Sequence, residues 1–186
     1  MRRGFIGIVL GAVLAASFPA SAKEVAGVTL PDTLTIGSTT LKLNGAGLRK
    51  KAMFKVYVGG LYLETLSKDA AAILESNKSK AVRMHFLRDL SKEQLTDAFK
   101  EGFEANAKER ATAQQANVDK FLALFADVKE GEELTFSYAP GTGTTILKGD
   151  QPIGVIAGKD FAGALYAVWL GPVPPTEDLK KGMLGL

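Results

Sequence analysis

Apolar positions change period along this chain, and the changes mark its elements. Residues 25–30 read as a strand that Pro31 and Asp32 break, and 34–36 with 40–43 read as a hairpin around Gly37 and Ser38. The stretch NGAGLRKKAMFKVYVGGLYLE, 44–64, reads as a glycine-rich turn carrying Arg49, followed at once by a β-prone run over 53–63. Residues 69–76 predict a short helix. In 81–87, Val82, Met84 and Phe86 alternate with Arg83 and His85, as in a half-buried strand. Ser91 and Gln94 form a capping-box pair ahead of a helix over 92–109, whose Leu95, Phe99, Gly102, Phe103 and Asn106 share one face.

A second helix is predicted over 113–128, with Val118, Phe121, Leu122 and Phe125 inward. Residues 133–138 and 143–148 form a hairpin across Pro140 and Gly141, and 151–156 is a further strand. Asp160 is the expected N-cap of a helix through Trp169, stopped by Gly171 and the prolines after it; a terminal helix begins at Thr176. Strands come mostly first and helices are inserted late. That order predicts an α+β fold, with helices on one face of a long, mostly antiparallel sheet.

The first 22 residues change the picture of where the fold begins. Arg2 and Arg3 precede an apolar run over 5–16, and Pro19-Ala20-Ser21-Ala22 ends in the small-residue pattern of a signal-peptidase site. The expectation is a signal peptide over 1–22, cleavage between Ala22 and Lys23, one domain over 23–186, and a periplasmic or secreted product. No later run approaches the roughly 18 apolar residues of a membrane span, so no integral span is expected in the mature form.

Without Arg2 and Arg3 the chain has 21 basic and 20 acidic residues, and it shows no basic stripe for nucleic acid. Cysteine is absent and His85 is the only histidine, which excludes thiolate chemistry, disulfides and histidine metal clusters. No phosphate-loop, dinucleotide or nucleophile-elbow fingerprint is present, and no cofactor is expected. Any acid–base or nucleophilic chemistry would rest on carboxylates, Tyr, Lys, Ser or Thr.

Arg49 is the best candidate for a functional charge: its guanidinium is permanently charged and matches a carboxylate in two parallel bonds. Tyr57 follows on the next strand and supplies a phenol donor. The competing reading makes Arg49 an exposed loop arginine and Tyr57 an ordinary edge residue. Phe99 and Phe103 read first as core, and second as the wall of a pocket centred on Gly102. His85 falls with Arg83 on the non-core face, and Glu130, Glu132 and Glu133 read as a turn and strand start.

Four pieces in order carry a family resemblance: GAGLR (45–49) with KVYVGGLYLE (55–64), VRMHFLRDLS (82–91), FSYAPGTGT (136–144) and ALYAVWLGPVPPTEDLK (164–180). Together they resemble the chalcone isomerase family, above all its bacterial, exported chalcone isomerase-like branch. The resemblance implies an open-faced β-sandwich, in which a long curved sheet carries helices on one face with a ligand cleft between. Members include isomerases of flavonoid chemistry and fatty-acid-binding proteins without catalysis.

In the enzymes an arginine, a threonine, a tyrosine, an asparagine and a serine or threonine form the site. Arg49 matches the arginine, whereas Tyr57, Leu95, Gly102 and Val168 stand at the other four positions. Arginine with tyrosine is instead the pair that holds the carboxylate in the fatty-acid-binding members, although the segment between them is shorter here. The resemblance therefore implies a binding protein for a small amphipathic carboxylate or phenolic ligand. Arg49 and Tyr57 would take its head, and Phe99, Phe103 and Val168 its tail. An intramolecular lyase using Arg49 as its only catalytic residue, and a partner-binding domain with a filled cleft, are the alternatives.

Overall fold

In a computed structural model of the chain, residues 23–186 are described; the proposed signal segment, 1–22, lies outside them. The chain runs β1 (Lys23–Val25), β2 (Val28–Leu30), β3 (Thr33–Ile36), β4 (Thr39–Lys51), β5 (Phe54–Leu63), α1 (Ala70–Glu75), β6 (Lys80–Phe86), α2 (Lys92–Ala113), α3 (Gln115–Ala123), β7 (Glu133–Ala139), β8 (Gly143–Lys148), β9 (Gln151–Ile156), α4 (Lys159–Leu170) and α5 (Glu177–Met183). Strands β3 to β9 form one seven-stranded antiparallel sheet in sequence order, and β1 pairs with β2 alone. The α+β reading holds, as does the antiparallel sheet.

The main core lies between one sheet face and the helices. Val82, Met84 and Phe86 from β6 and Phe136 from β7 meet Phe99, Phe121, Phe161 and Trp169 from the helical layer. Phe99 makes edge-to-face or stacked contacts there to Phe121, Phe125, Phe136 and Trp169 at centroid distances of 5.0 to 5.8 Å. On the opposite face a small cluster of Val28, Leu30, Ala46 and Val58 sets the β1–β2 hairpin against β4 and β5. That second cover is why β5 is apolar on both faces and buried from Val56 onward.

Local chemistry explains several boundaries. The capping box forms in both directions: the Gln94 amide donates to Ser91 Oγ at 3.2 Å, and the Ser91 amide donates to Gln94 Oε1 at 3.0 Å. Helix α2 runs beyond the expected 109 to Ala113, across a kink at Ala107. The second helix stops at Ala123, short of the expected 128, because Leu90 and Val128 exchange backbone hydrogen bonds of 3.0 and 2.9 Å in an extended bridge. Residues 25–30 form two strands around Ala26 and Gly27, whose φ values of 54° and 88° make the turn. Asp160 sits in the first turn of α4, where its charge favours the helix dipole. The N-cap itself is Gly158, at φ 99°.

The largest correction concerns the glycine segment before Arg49. It is no turn: Gly45, Gly47 and Arg49 all lie within β4, and the chain reverses at Ala52 and Met53. The glycines are there for α5. A Cβ at Gly45 would lie 2.3 Å from the Gly182 carbonyl oxygen, and one at Gly47 would lie 2.6 Å from that of Leu179. Helix α5 rests directly on the β4 backbone, and Asn44 ties it down by donating to the Met183 carbonyl at 2.9 Å.

Candidate functional site

Helices α2 and α4, the prolines after α4, and the β4–β5 hairpin border a partly open cavity of about 500 Å³. That size lies within the usual range of small-molecule sites. Its apolar wall comprises Val56, Met84, Leu95, Phe99, Val168, Trp169 and the segment Val173–Pro175; Arg49, Tyr57, Lys51 and Arg88 gather on the strand side.

Arg49 and Tyr57 are direct register partners across β4 and β5. The short connection thus brings the two expected head-group residues face to face. The Arg49 guanidinium carbon lies 5.7 Å from the Tyr57 ring centroid. Arg49 makes no salt bridge among the described residues, and its Nε is buried with no hydrogen-bond partner among them. A buried donor left unpaired costs about 1–3 kcal/mol, so such a group in a native structure calls for an explanation.

Tyr57 is 3% exposed. Its hydroxyl oxygen accepts a hydrogen bond from the Trp169 indole Nε1–H at 3.0 Å, and its own proton has no acceptor among the described residues. Burial pushes the Tyr57 pKa up to about 12, against the opposing pull of the Arg49 charge and the Trp169 hydrogen bond. At neutral pH the site therefore offers a cation and a neutral O–H donor side by side.

Sequence reasoning named five ligand-binding positions. Arg49, Tyr57, Phe99 and Val168 line this cavity. Phe103 packs one turn deeper, 6.0 Å from Phe121 and 6.4 Å from Phe161, in the core behind it. Leu95 and Gly102 line the cavity as well, so every position aligned with the enzyme site converges on one space. Gly102 is bound to its neighbour by size, since a Cβ there would meet Val168 Cγ1 at 2.6 Å.

Three contributors escaped the sequence reading. Trp169, which the sequence reading gives as a helix end and as part of the 164–180 motif but not as a site residue, is the sole tryptophan and the partner of Tyr57. Arg88 stacks over the Phe54 ring at 4.8 Å at the cavity rim. Asn106 was placed on the inward face without a role. Its amide donates to the Val173 carbonyl at 2.8 Å and its oxygen accepts from the Val173 amide at 2.7 Å, pinning the proline segment over the cavity. Inward polarity on an otherwise apolar helix face was the available signal.

His85 lies off the site, 3.1 Å from Glu133 on the other sheet face. Among the described residues no three His, Cys, Asp or Glu side chains gather as metal ligands. No described helix is long and apolar enough to cross a membrane.

Comparison with known proteins agrees with this architecture. No curated protein matches the chain. A crystal structure of a fatty-acid binding protein of Arabidopsis thaliana superposes with a TM-score of 0.67 over 85% of this chain and 92% of that one, at 14% identity, and so shares its fold. A family model described as chalcone isomerase-like matches residues 22–185. With that match spanning nearly the whole sequence, the chain belongs to the chalcone isomerase-like family.

Proposed function

We propose that this protein binds a small amphipathic carboxylate, of which a fatty acid is the simplest example, and does so without transforming it. The observation that carries this reading is Arg49: a cavity-lining guanidinium whose buried Nε has no partner among the described residues. The carboxylate takes the two-pronged bond from Arg49 and a third bond from the Tyr57 hydroxyl. The tail lies along Leu95, Phe99, Val168 and Trp169, where each buried methylene contributes about 0.8 kcal/mol. The likeness to a fatty-acid binding protein supports the same assignment. Leucine, glycine and valine at 95, 102 and 168 leave no side chain there to move a proton or orient a phenolate, which favours holding a ligand over converting one. The basic and apolar pattern of residues 1–22 supports export, and we place the protein outside the cytoplasm on that basis.

Titration of the purified, delipidated protein with a long-chain fatty acid, followed calorimetrically, tests the reading. Arg49→Ala removes a charge-assisted bond of about 1.5–3 kcal/mol and is expected to weaken binding roughly tenfold to a hundredfold. Tyr57→Phe is expected to cost less. Equal affinity in wild type and Arg49→Ala overturns the assignment, as does a protein that takes no fatty acid but cyclises a chalcone faster than the spontaneous reaction.

A further inference from the structure

The tip of the β4–β5 hairpin departs from the rest of the surface. Met53 is 87% exposed and its neighbour Phe54 is 56% exposed, two large apolar side chains in succession at the outermost turn. Around them the charge has one sign. The tip half of the hairpin carries Arg49, Lys50, Lys51 and Lys55 and no acidic residue, although the whole chain has 23 basic and 20 acidic residues. Arg88 adds a further cation, stacked on the Phe54 ring. The acid beside it, Asp89, is already engaged by Lys129 Nζ and the Glu130 amide, each at 2.9 Å. The acids that line the cavity, Asp97 and Glu101, belong to α2, and Asp97 pairs with Lys100 at 3.5 Å. Phe54, Lys51 and Arg88 border the same cavity as Arg49 and Tyr57.

We propose that this hairpin tip docks the protein on an anionic lipid surface and lets the amphipathic ligand pass between that surface and the cavity. Exposed apolar side chains ringed by lysine and arginine are what a negatively charged bilayer interface selects. The apolar groups enter the headgroup boundary while the cations meet lipid phosphate. A folded protein partner fits the tip less well, since two residues at a convex turn offer far less than the buried area a specific protein interface needs. The exchange step rests on the ligand reading of the cavity; the docking step does not.

Cosedimentation with vesicles of phosphatidylcholine, with and without phosphatidylglycerol, tests the docking. Two variants probe it, Met53→Ser and the pair Lys50→Glu/Lys55→Glu, none of which lines the cavity. Binding to the anionic vesicles only is expected, weakened by added salt, by Met53→Ser, and by roughly fivefold or more for each lysine reversed. No sedimentation of the wild type, or equal sedimentation of wild type and both variants, overturns the proposal.

Exchange is read from the rate at which a fluorescent fatty acid moves from anionic vesicles to the protein. That rate is expected to fall in both variants while their affinity for free fatty acid stays at the wild-type value. Variants that exchange as fast as wild type overturn the exchange step. A wild type that titrates normally with free fatty acid but ignores vesicles sinks this inference alone. One that docks on vesicles but takes no fatty acid keeps the docking and sinks the ligand reading.

Discussion

The indole Nε1–H of Trp169 donates to the hydroxyl oxygen of Tyr57 at 3.0 Å, joining the penultimate residue of α4 to the strand that faces Arg49. The bond fixes the direction in which the Tyr57 proton is presented, because the oxygen's acceptor site toward Trp169 is filled. Both partners are almost fully buried. Trp169→Phe and Tyr57→Phe each leave one buried polar group unpaired and are each expected to destabilise by about 1–3 kcal/mol. In a urea-denaturation double-mutant cycle the pair should show a coupling of roughly 0.5–1.5 kcal/mol. Strict additivity would mean that the bond does not hold the site together.

Gly102 and Val168 set how closely α2 and α4 approach beneath the cavity. A Cβ at Gly102 falls 2.6 Å from Val168 Cγ1, a branched side chain that cannot swing away. Gly102→Ala should therefore destabilise despite alanine's better helix propensity, by about 1–3 kcal/mol from overpacking. Adding Val168→Ala to Gly102→Ala should recover part of that loss. Thermal melts of the two single variants and the double variant decide the point: a more stable Gly102→Ala would show that the helices part freely.

Gly47 carries a similar constraint with a backbone neighbour. Its Cβ would lie 2.6 Å from the Leu179 carbonyl oxygen and 2.8 Å from Leu179 Cα, neither of which can rotate aside. Gly47→Ala is expected to lift α5 off β4. Amide exchange should quicken across Glu177–Met183, and stability should fall by about 2 kcal/mol or more. An unchanged exchange pattern in α5 would contradict the close-contact explanation for the glycine.

All four tyrosines are buried, and burial raises the pKa of each, with Tyr57 and Tyr62 brought to about 12. A raised phenol keeps its proton in the folded chain while the unfolded chain starts to lose it near pH 10. The tyrosine contribution to stability is thus complete below pH 10 and is lost between about pH 10 and 12. Lys80 acts in the opposite sense. Burial lowers its pKa to about 8, so the folded chain releases that proton first and its contribution improves as pH rises from 8 to 10.5. Urea melts across this range should show stability rising modestly above pH 8 and falling steeply above pH 10. Tyrosinate absorbance should appear only as the chain unfolds. Tyrosinate formed near pH 10 with the fold intact would contradict the burial account.

Features governed by near neighbours were legible in advance. The Ser91–Gln94 capping box, the β6 alternation of Val82, Met84 and Phe86, and the hairpin across Pro140 depend on residues within a few positions of one another, and all three form. Features governed by distant partners were misread. Gly45 and Gly47 looked like a turn, because glycine signals tight reversal as readily as close backbone approach. The helix that demands them lies some 130 residues later in the chain. Asp160 carried a capping signal, but Gly158 occupied the cap with a φ that L side chains rarely adopt.

The sequence by itself determined the α+β fold class, the apolar faces of strands and helices, and the absence of thiol and histidine-cluster chemistry, and it offered Arg49 with Tyr57 as a candidate pair. The first three follow from residue types and their spacing; the pair came from the family resemblance, since residue type alone left the ordinary loop and edge reading open. Only the tertiary structure decided that these two residues face each other across β4 and β5, and that Trp169 donates to the Tyr57 oxygen while the Tyr57 proton is left without an acceptor among the described residues. It also decided that Phe103 lies behind the cavity wall and that Asn106 pins the proline segment over it. Those facts depend on where α4 and α5 pack against the sheet. That packing is set by the summed burial of side chains far apart in the chain, a quantity no short window of sequence contains.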